Sequence, residues 1–163
     1  MPINKDGGIN LGEMVFKADV NAPYGMDNLS HATGVLAESQ ALMDDFCNAD
    51  DSFFLINGTT AGILAMIMAV CRANERIILP RNVHKSIVNG LILSGATPEY
   101  VMPEIDSELE IANQPSVEDF KKAIIKHPSA KAIFVINPTY FGATANLKEL
   151  VDFAHQHNMA VLV

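Results

Sequence analysis

The sequence predicts an α/β fold built on a mainly parallel sheet with helices on both faces. Three observations carry that expectation. Short runs such as 76–79 and 131–136 are apolar at nearly every position, as strands covered on both faces are. Segments with apolar residues every three or four positions alternate with those runs. The chain also has no internal repeat, low-complexity tract or linker, so one layered structure accounts for it.

The elements follow in order. Residues 1–28, rich in Gly, Pro and Asn with little periodicity, form an irregular arm, and residues 29–163 form part of one major domain. Val35, Leu36, Leu42, Met43 and Phe46 mark a helix that ends near Asn48. The apolar run 52–56 reads as a first strand, followed by Asn57 and Gly58 and a helix to Cys71. A strand at 76–80 leads into a helix over 84–94 that Gly95 closes. Residues 97–102 make a third strand, short or near an edge because of Pro98. After a loop over 103–115, Ser116 caps a helix to Lys126, with Asp119 at the reciprocal position. A fourth strand over 131–136, a helix over 146–157 and a fifth strand over 159–163 complete the chain.

Composition narrows the function. With 163 residues the chain suits one domain. A net charge of −8 excludes the basic footprint of a nucleic-acid binder and permits a cationic substrate. The longest apolar run, 61–71, falls far short of the roughly 20 residues a membrane span requires. The start lacks a basic segment followed by an apolar one, so a signal peptide is not expected. Cys47 and Cys71 sit in helical patterns without metal-ligand spacing, which fits a reduced, cytoplasmic protein.

Ligands of open α/β sheets bind beyond the carboxyl ends of the strands, and three strand exits carry suitable residues. At the first, Gly58 admits close backbone approach, and Thr59 and Thr60 with the free helix amides can hold a phosphate. The competing account is a turn with a threonine cap. At the second, His84 opens a helix, where it can stack on a planar ring or exchange protons. Asn82 capping the helix above a solvated His84 and Lys85 is the plainer alternative. Lys85 also invites a reading as a covalent catalytic lysine. The third exit, 137–142, places Thr139 and Tyr140 behind a rigid proline, or is simply a turn.

Taken in order, 53–60, 80–86, 90–96 and 137–142 resemble the successive signatures of the Orn/Lys/Arg decarboxylase major domain. The Arg81, Asn82, His84, Lys85, Ser86 pattern is the specific one. That resemblance implies the aspartate-aminotransferase fold, pyridoxal 5′-phosphate (PLP) as cofactor, a basic amino acid (lysine, arginine or ornithine) as substrate, a role in polyamine formation, and a homo-oligomer. By position, Gly58, Thr59 and Thr60 resemble the phosphate site, His84 the histidine stacked on the pyridine ring, and Thr139 the loop near its phenolic edge. Lys85 does not match the lysine that bonds the cofactor. In the family the strand matching 159–163 runs into an Asp-Glu-Ala-His-Gly-like segment whose aspartate pairs with the ring nitrogen, and the lysine follows later. This stretch is therefore expected to be an inactive amino-terminal piece. Residues 1–8 only partly match the family's His-Lys-Gly-Gly-like opening. The alternatives are part of another PLP enzyme of the same fold, an aminotransferase or carbon–sulfur lyase, and a naturally short binding protein.

Overall fold

The computed structural model describes residues 12–18 and 25–163. Much of the expected arm, including the partly matching opening, lies outside the described residues. Within the arm, Glu13–Ala18 form a short helix, α1. The chain divides into two compact units, Met1–Phe54 and Leu55–Val163.

In the first unit a 3₁₀ turn at Leu29–His31 precedes helix α2, Val35–Cys47. Gly34, the N-cap of α2, has no side chain to cap it. Asp27 supplies the missing acceptor from a distance. Its carboxylate takes the backbone N–H groups of Thr33, Gly34 and Leu36 at 2.9–3.0 Å, and that of Asn28 at 2.8 Å. Asn48 in the left-handed conformation ends the helix.

The second unit alternates as expected: α3 (Gly58–Val70), β1 (Arg76–Pro80), α4 (Lys85–Ser94), β2 (Thr97–Val101), β3 (Ile105–Asp106), β4 (Ile111–Ala112), α5 (Val117–Lys126), β5 (Ala132–Phe134), α6 (Leu147–Gln156) and β6 (Ala160–Leu162). Four strands form a parallel sheet in the order β2-β1-β5-β6. The period of two sorts its side chains between two cores. Ile77, Leu79, Ala132, Phe134 and Leu162 pack with Ile67 of α3 and with Ile87 and Leu91 of α4. Ile78, Ile133 and Val135 pack with Phe120 and Ile124 of α5 and with Leu150 and Ala154 of α6. Helices thus cover both faces.

Two expectations are corrected. Residues 52–56 form no strand. Phe53 and Ile56 are 77% and 82% exposed, and no described strand pairs with the run. An apolar run signals burial, but a strand also needs a hydrogen-bonded neighbour. The loop over 103–115 instead contains an antiparallel hairpin, β3–β4, closed by Asp106, whose Oδ1 accepts the N–H groups of Glu108 and Leu109. Among the described residues, proline-containing β2 does lie at the sheet edge, paired only with β1. Ser116 caps α5 by accepting the Asp119 N–H. Asp119 answers by accepting the Ser116 hydroxyl at 2.7 Å rather than its backbone N–H.

Candidate cofactor site

The strand order contains a switch point. From β1 the chain crosses through α4 to β2 on one side, then returns through α5 to β5 on the other. The exits of β1 and β5 therefore diverge and leave a crevice at their carboxyl ends, the expected ligand position in open α/β sheets. A cavity of about 240 Å³ lies there, lined by Thr59, His84, Phe134, Asn137 and Pro138 among others. Thus the start of α3 and the exits of β1 and β5 each place a residue on this cavity, although the segment before α3 is no strand.

Each contributor is held by local physics. Gly58 has φ +68°, a conformation other residues adopt only with strain, and a Cβ built there would meet nothing within 4 Å. Helix α3 starts with no side-chain cap and no acid in its first turn. By contrast α4, α5 and α6 are each capped, by His84, Ser116 and Asn146. The first amides of α3 are thus open to an external anion at the positive end of the helix dipole. Thr59 lines the cavity, whereas its neighbours Gly58 and Thr60 at the same helix start do not.

His84 is the N-cap of α4. Its Nδ1 accepts the Ser86 backbone N–H at 3.2 Å and lies 2.8 Å from the buried Ser86 hydroxyl. Because Nδ1 offers a lone pair to that N–H, the hydrogen bonding assigns the ring proton to Nε2. The cap therefore fixes both the orientation and the tautomer of the ring. Lys85 lines neither this cavity nor the one described next.

A second cavity, of about 380 Å³, shares His84 with the first and is lined also by Asn82, Ala112, Ile136, Thr139 and Tyr140. Thr139 belongs to this one and is 6% exposed. Its Oγ1 accepts the Ala143 N–H at 3.1 Å, which staples its own loop.

Sequence reasoning gave Asn137 no role and weighed Asn82 only as a helix cap. Asn137 lines the first cavity, and its Oδ1 accepts the Ala145 N–H at 3.0 Å, so its Nδ2 is the group left to donate. Asn82 donates Nδ2 to the Asn113 carbonyl at 3.2 Å and does not cap α4. Both sit directly at strand exits, the signal by which they could have been found.

The Orn/Lys/Arg decarboxylase major-domain family matches residues 9–163. The chain belongs to the Orn/Lys/Arg decarboxylase family. It is 42% identical over 153 residues to the arginine decarboxylase of Bacillus subtilis, covering 94% of this chain and 31% of that protein. The lysine decarboxylase LdcA of Pseudomonas aeruginosa is 32% identical over 150 residues, covering 83% of this chain and 20% of that protein. Lysine decarboxylase A from the same organism superposes with a TM-score of 0.65 at 31% identity, over 74% of this chain and 18% of that one. An SPT structure solved with PLP shares the fold, at a TM-score of 0.59 and 24% identity, over 77% of this chain and 29% of that one. The fold is thus shared with lysine decarboxylase A and with that SPT structure, and the chain spans about a third or less of the length of these relatives. Membership of the decarboxylase family decides against the aminotransferase and carbon–sulfur lyase alternatives.

Proposed function

We propose that residues 29–163 are part of the PLP-binding major domain of a decarboxylase for lysine, arginine or ornithine. The observation that carries this is the convergence of Thr59, His84 and Asn137 on one cavity at the sheet's switch point. The residues fit the cofactor. The uncapped start of α3, with Gly58, Thr59 and Thr60, suits its phosphate, since free amides and the helix dipole both favour an anion. The His84 ring, held by Ser86, suits its aromatic face, and the Asn137 amide and the Thr139 loop suit its polar edge. Bound PLP supplies an electron sink for the departure of an α-carboxylate. The residues present bind and orient; none moves a proton to the substrate.

Among the described residues no lysine, aspartate or glutamate lines this cavity. The 163-residue chain by itself is therefore read as holding PLP without a covalent bond and as inactive in decarboxylation. The whole protein is read as a homo-oligomer, which the exposed Met68, Ile92 and Leu93 on α3 and α4 support. It is also read as cytoplasmic, in keeping with two unpaired cysteines and no described helix long and apolar enough to span a membrane. Its product would be a polyamine or a polyamine precursor.

The test is an amide NMR titration of the chain. Inorganic phosphate and PLP should both shift Thr59 and Thr60, whereas pyridoxal without phosphate should not. His84→Asn preserves a good capping residue while removing the ring. It should weaken PLP and leave phosphate unchanged. Shifts elsewhere, or PLP absorbance that survives dialysis, would refute the reading.

A further inference from the structure

The sequence contains two Asn-Gly pairs, Asn57-Gly58 at the start of α3 and Asn89-Gly90 within α4. Both asparagines are exposed, yet their backbones differ in the respect that decides how the side-chain amide reacts. We propose that Asn57 is a site of spontaneous deamidation, and that the carboxylate it gains closes the start of α3 to phosphate. The closure rests on the cofactor reading above; the deamidation does not.

The step needs no co-reactant but water. The Gly58 backbone nitrogen gives up its proton to solvent and attacks Cγ of Asn57. An N–Cγ bond forms, the Cγ–Nδ2 bond breaks, and Nδ2 leaves as ammonia. The product is a cyclic imide joining the two residues. Water then adds to one of its carbonyls. Opening at Cγ leaves aspartate in the ordinary chain, and opening at the backbone carbonyl leaves an isoaspartyl link that runs through the side chain. On balance an amide and water become a carboxylate and ammonium, with no change of oxidation state.

The start of α3 permits each requirement. The attacking nitrogen is free, because Gly58 precedes the intrahelical ladder and its N–H donates to no group among the described residues. The side chain is free as well, since Asn57 is the N-cap residue yet makes no capping hydrogen bond. At ψ 29° the Asn57 backbone holds the nitrogen away from Cγ, so the reaction waits on rotation about the Cα–C bond. Gly58, at φ +68°, departs from helical backbone, and a Cβ built on it would meet nothing within 4 Å, so that rotation has room. Helix ends also open at far lower free energy than buried interiors.

The second pair is the contrast. Gly90 lies inside α4, where its N–H belongs to the ladder, and it is buried. A Cβ there would lie 2.6 Å from Ile67 Cδ1. Attack at Asn89 therefore requires α4 to unravel.

The product changes the site. Aspartate is among the best N-cap residues, so a carboxylate at position 57 takes amides and a dipole end that the unmodified chain leaves open. An arriving phosphate then meets a like charge where α3 has no acid in its first turn. The isoaspartyl form also lengthens the main chain by a carbon just before Thr59.

The experiment ages the native chain in mildly alkaline buffer and follows both pairs by peptide mapping. The Asn57 peptide should gain the mass of an amide-to-acid exchange and divide into aspartyl and isoaspartyl forms. Asn89 should react at least about tenfold more slowly, the effect of a modest opening cost in α4, and should match Asn57 once the chain is unfolded. Asn57→Gln, whose longer side chain closes the ring poorly, should lose the reaction. Asn57→Asp reproduces the ordinary product and should bind inorganic phosphate about tenfold more weakly, read from the Thr59 and Thr60 amides. A native chain that keeps its Asn57 amide, equal native rates at the two pairs, or full phosphate affinity in Asn57→Asp would each overturn the proposal. Absence of phosphate shifts in the unmodified chain, with Asn57 converting as expected, would instead overturn the cofactor reading and the closure together.

Discussion

Helices α3 and α4 bring Thr59 and His84 to one cavity, and the closeness of their packing rests on Gly90. A Cβ at this position would lie 2.6 Å from Ile67 Cδ1, and the next nearest atoms, Cβ and Cγ1 of the same residue, are at 3.4 and 3.6 Å. Ile67 is fully buried among Ile77, Ile87 and Leu91, so its δ-methyl has no empty space to enter. Gly90→Ala should therefore cost about 1–3 kcal/mol of overpacking, against a gain of about 1 kcal/mol in helix propensity. A net loss of about 0–2 kcal/mol is expected. Ile67→Val removes the colliding methyl and alone should cost about 0.5–1.5 kcal/mol. Combined, the two changes should restore fit: the double variant should be no less stable than Ile67→Val alone, a favourable coupling of at least about 1 kcal/mol. Urea unfolding of the four proteins measures the cycle. Additivity within about 0.5 kcal/mol would refute the reasoning, because it would show that Ile67 and the new methyl do not meet.

Two other outcomes are expected. Hydrogen bonds from the Thr33 backbone, and from Gly34, Asn28 and Leu36, hold the Asp27 carboxyl well below the usual carboxylate range. A depressed folded-state value means that its stabilisation is present above the unfolded pKa, about 3.9, and is lost as pH falls below it. The stability gap between the natural chain and Asp27→Asn should be wide near neutral pH, begin to narrow below about pH 4 and still be closing at about pH 3; a gap independent of pH in urea titrations would contradict the cap. Burial raises the Cys71 thiol, whereas Cys47 is exposed. A disulfide reagent should modify Cys47 alone in the native chain and both cysteines after denaturation, and rapid native modification of Cys71 would contradict its burial.

The parts of this structure that sequence revealed are those set by local chemistry. Gly95 closing α4, Ser116 capping α5 and the edge position of Pro98 follow from backbone conformation and hydrogen-bonding capacity alone. The run 52–56 misled because an apolar composition suggests a buried strand, whereas Phe53 and Ile56 are exposed and a strand depends on a partner remote in sequence. The β3–β4 hairpin was hidden for the opposite reason, with strands two residues long and too short to show alternation. At the site, residue type picked out Thr59 and His84, because a hydroxyl or an imidazole at a helix start has few roles. Thr139 went to the second cavity and Asn137 to the first, since adjacent loop side chains diverge in ways that spacing does not encode.

The division of β1 between the two cores constrains how this chain can vary. Ile77 and Leu79 serve the α3–α4 side and Ile78 the α5–α6 side. One residue inserted or deleted inside 76–80 would exchange those assignments, stranding three fully buried side chains on the wrong layer while also shifting His84 along its exit. Changes in chain length are thus tolerable in the β3–β4 hairpin at 105–112, none of whose residues belongs to either core, and intolerable a few residues before the crevice at the strand ends. Length polymorphism among relatives should map the hairpin as a variable rim around an invariant floor.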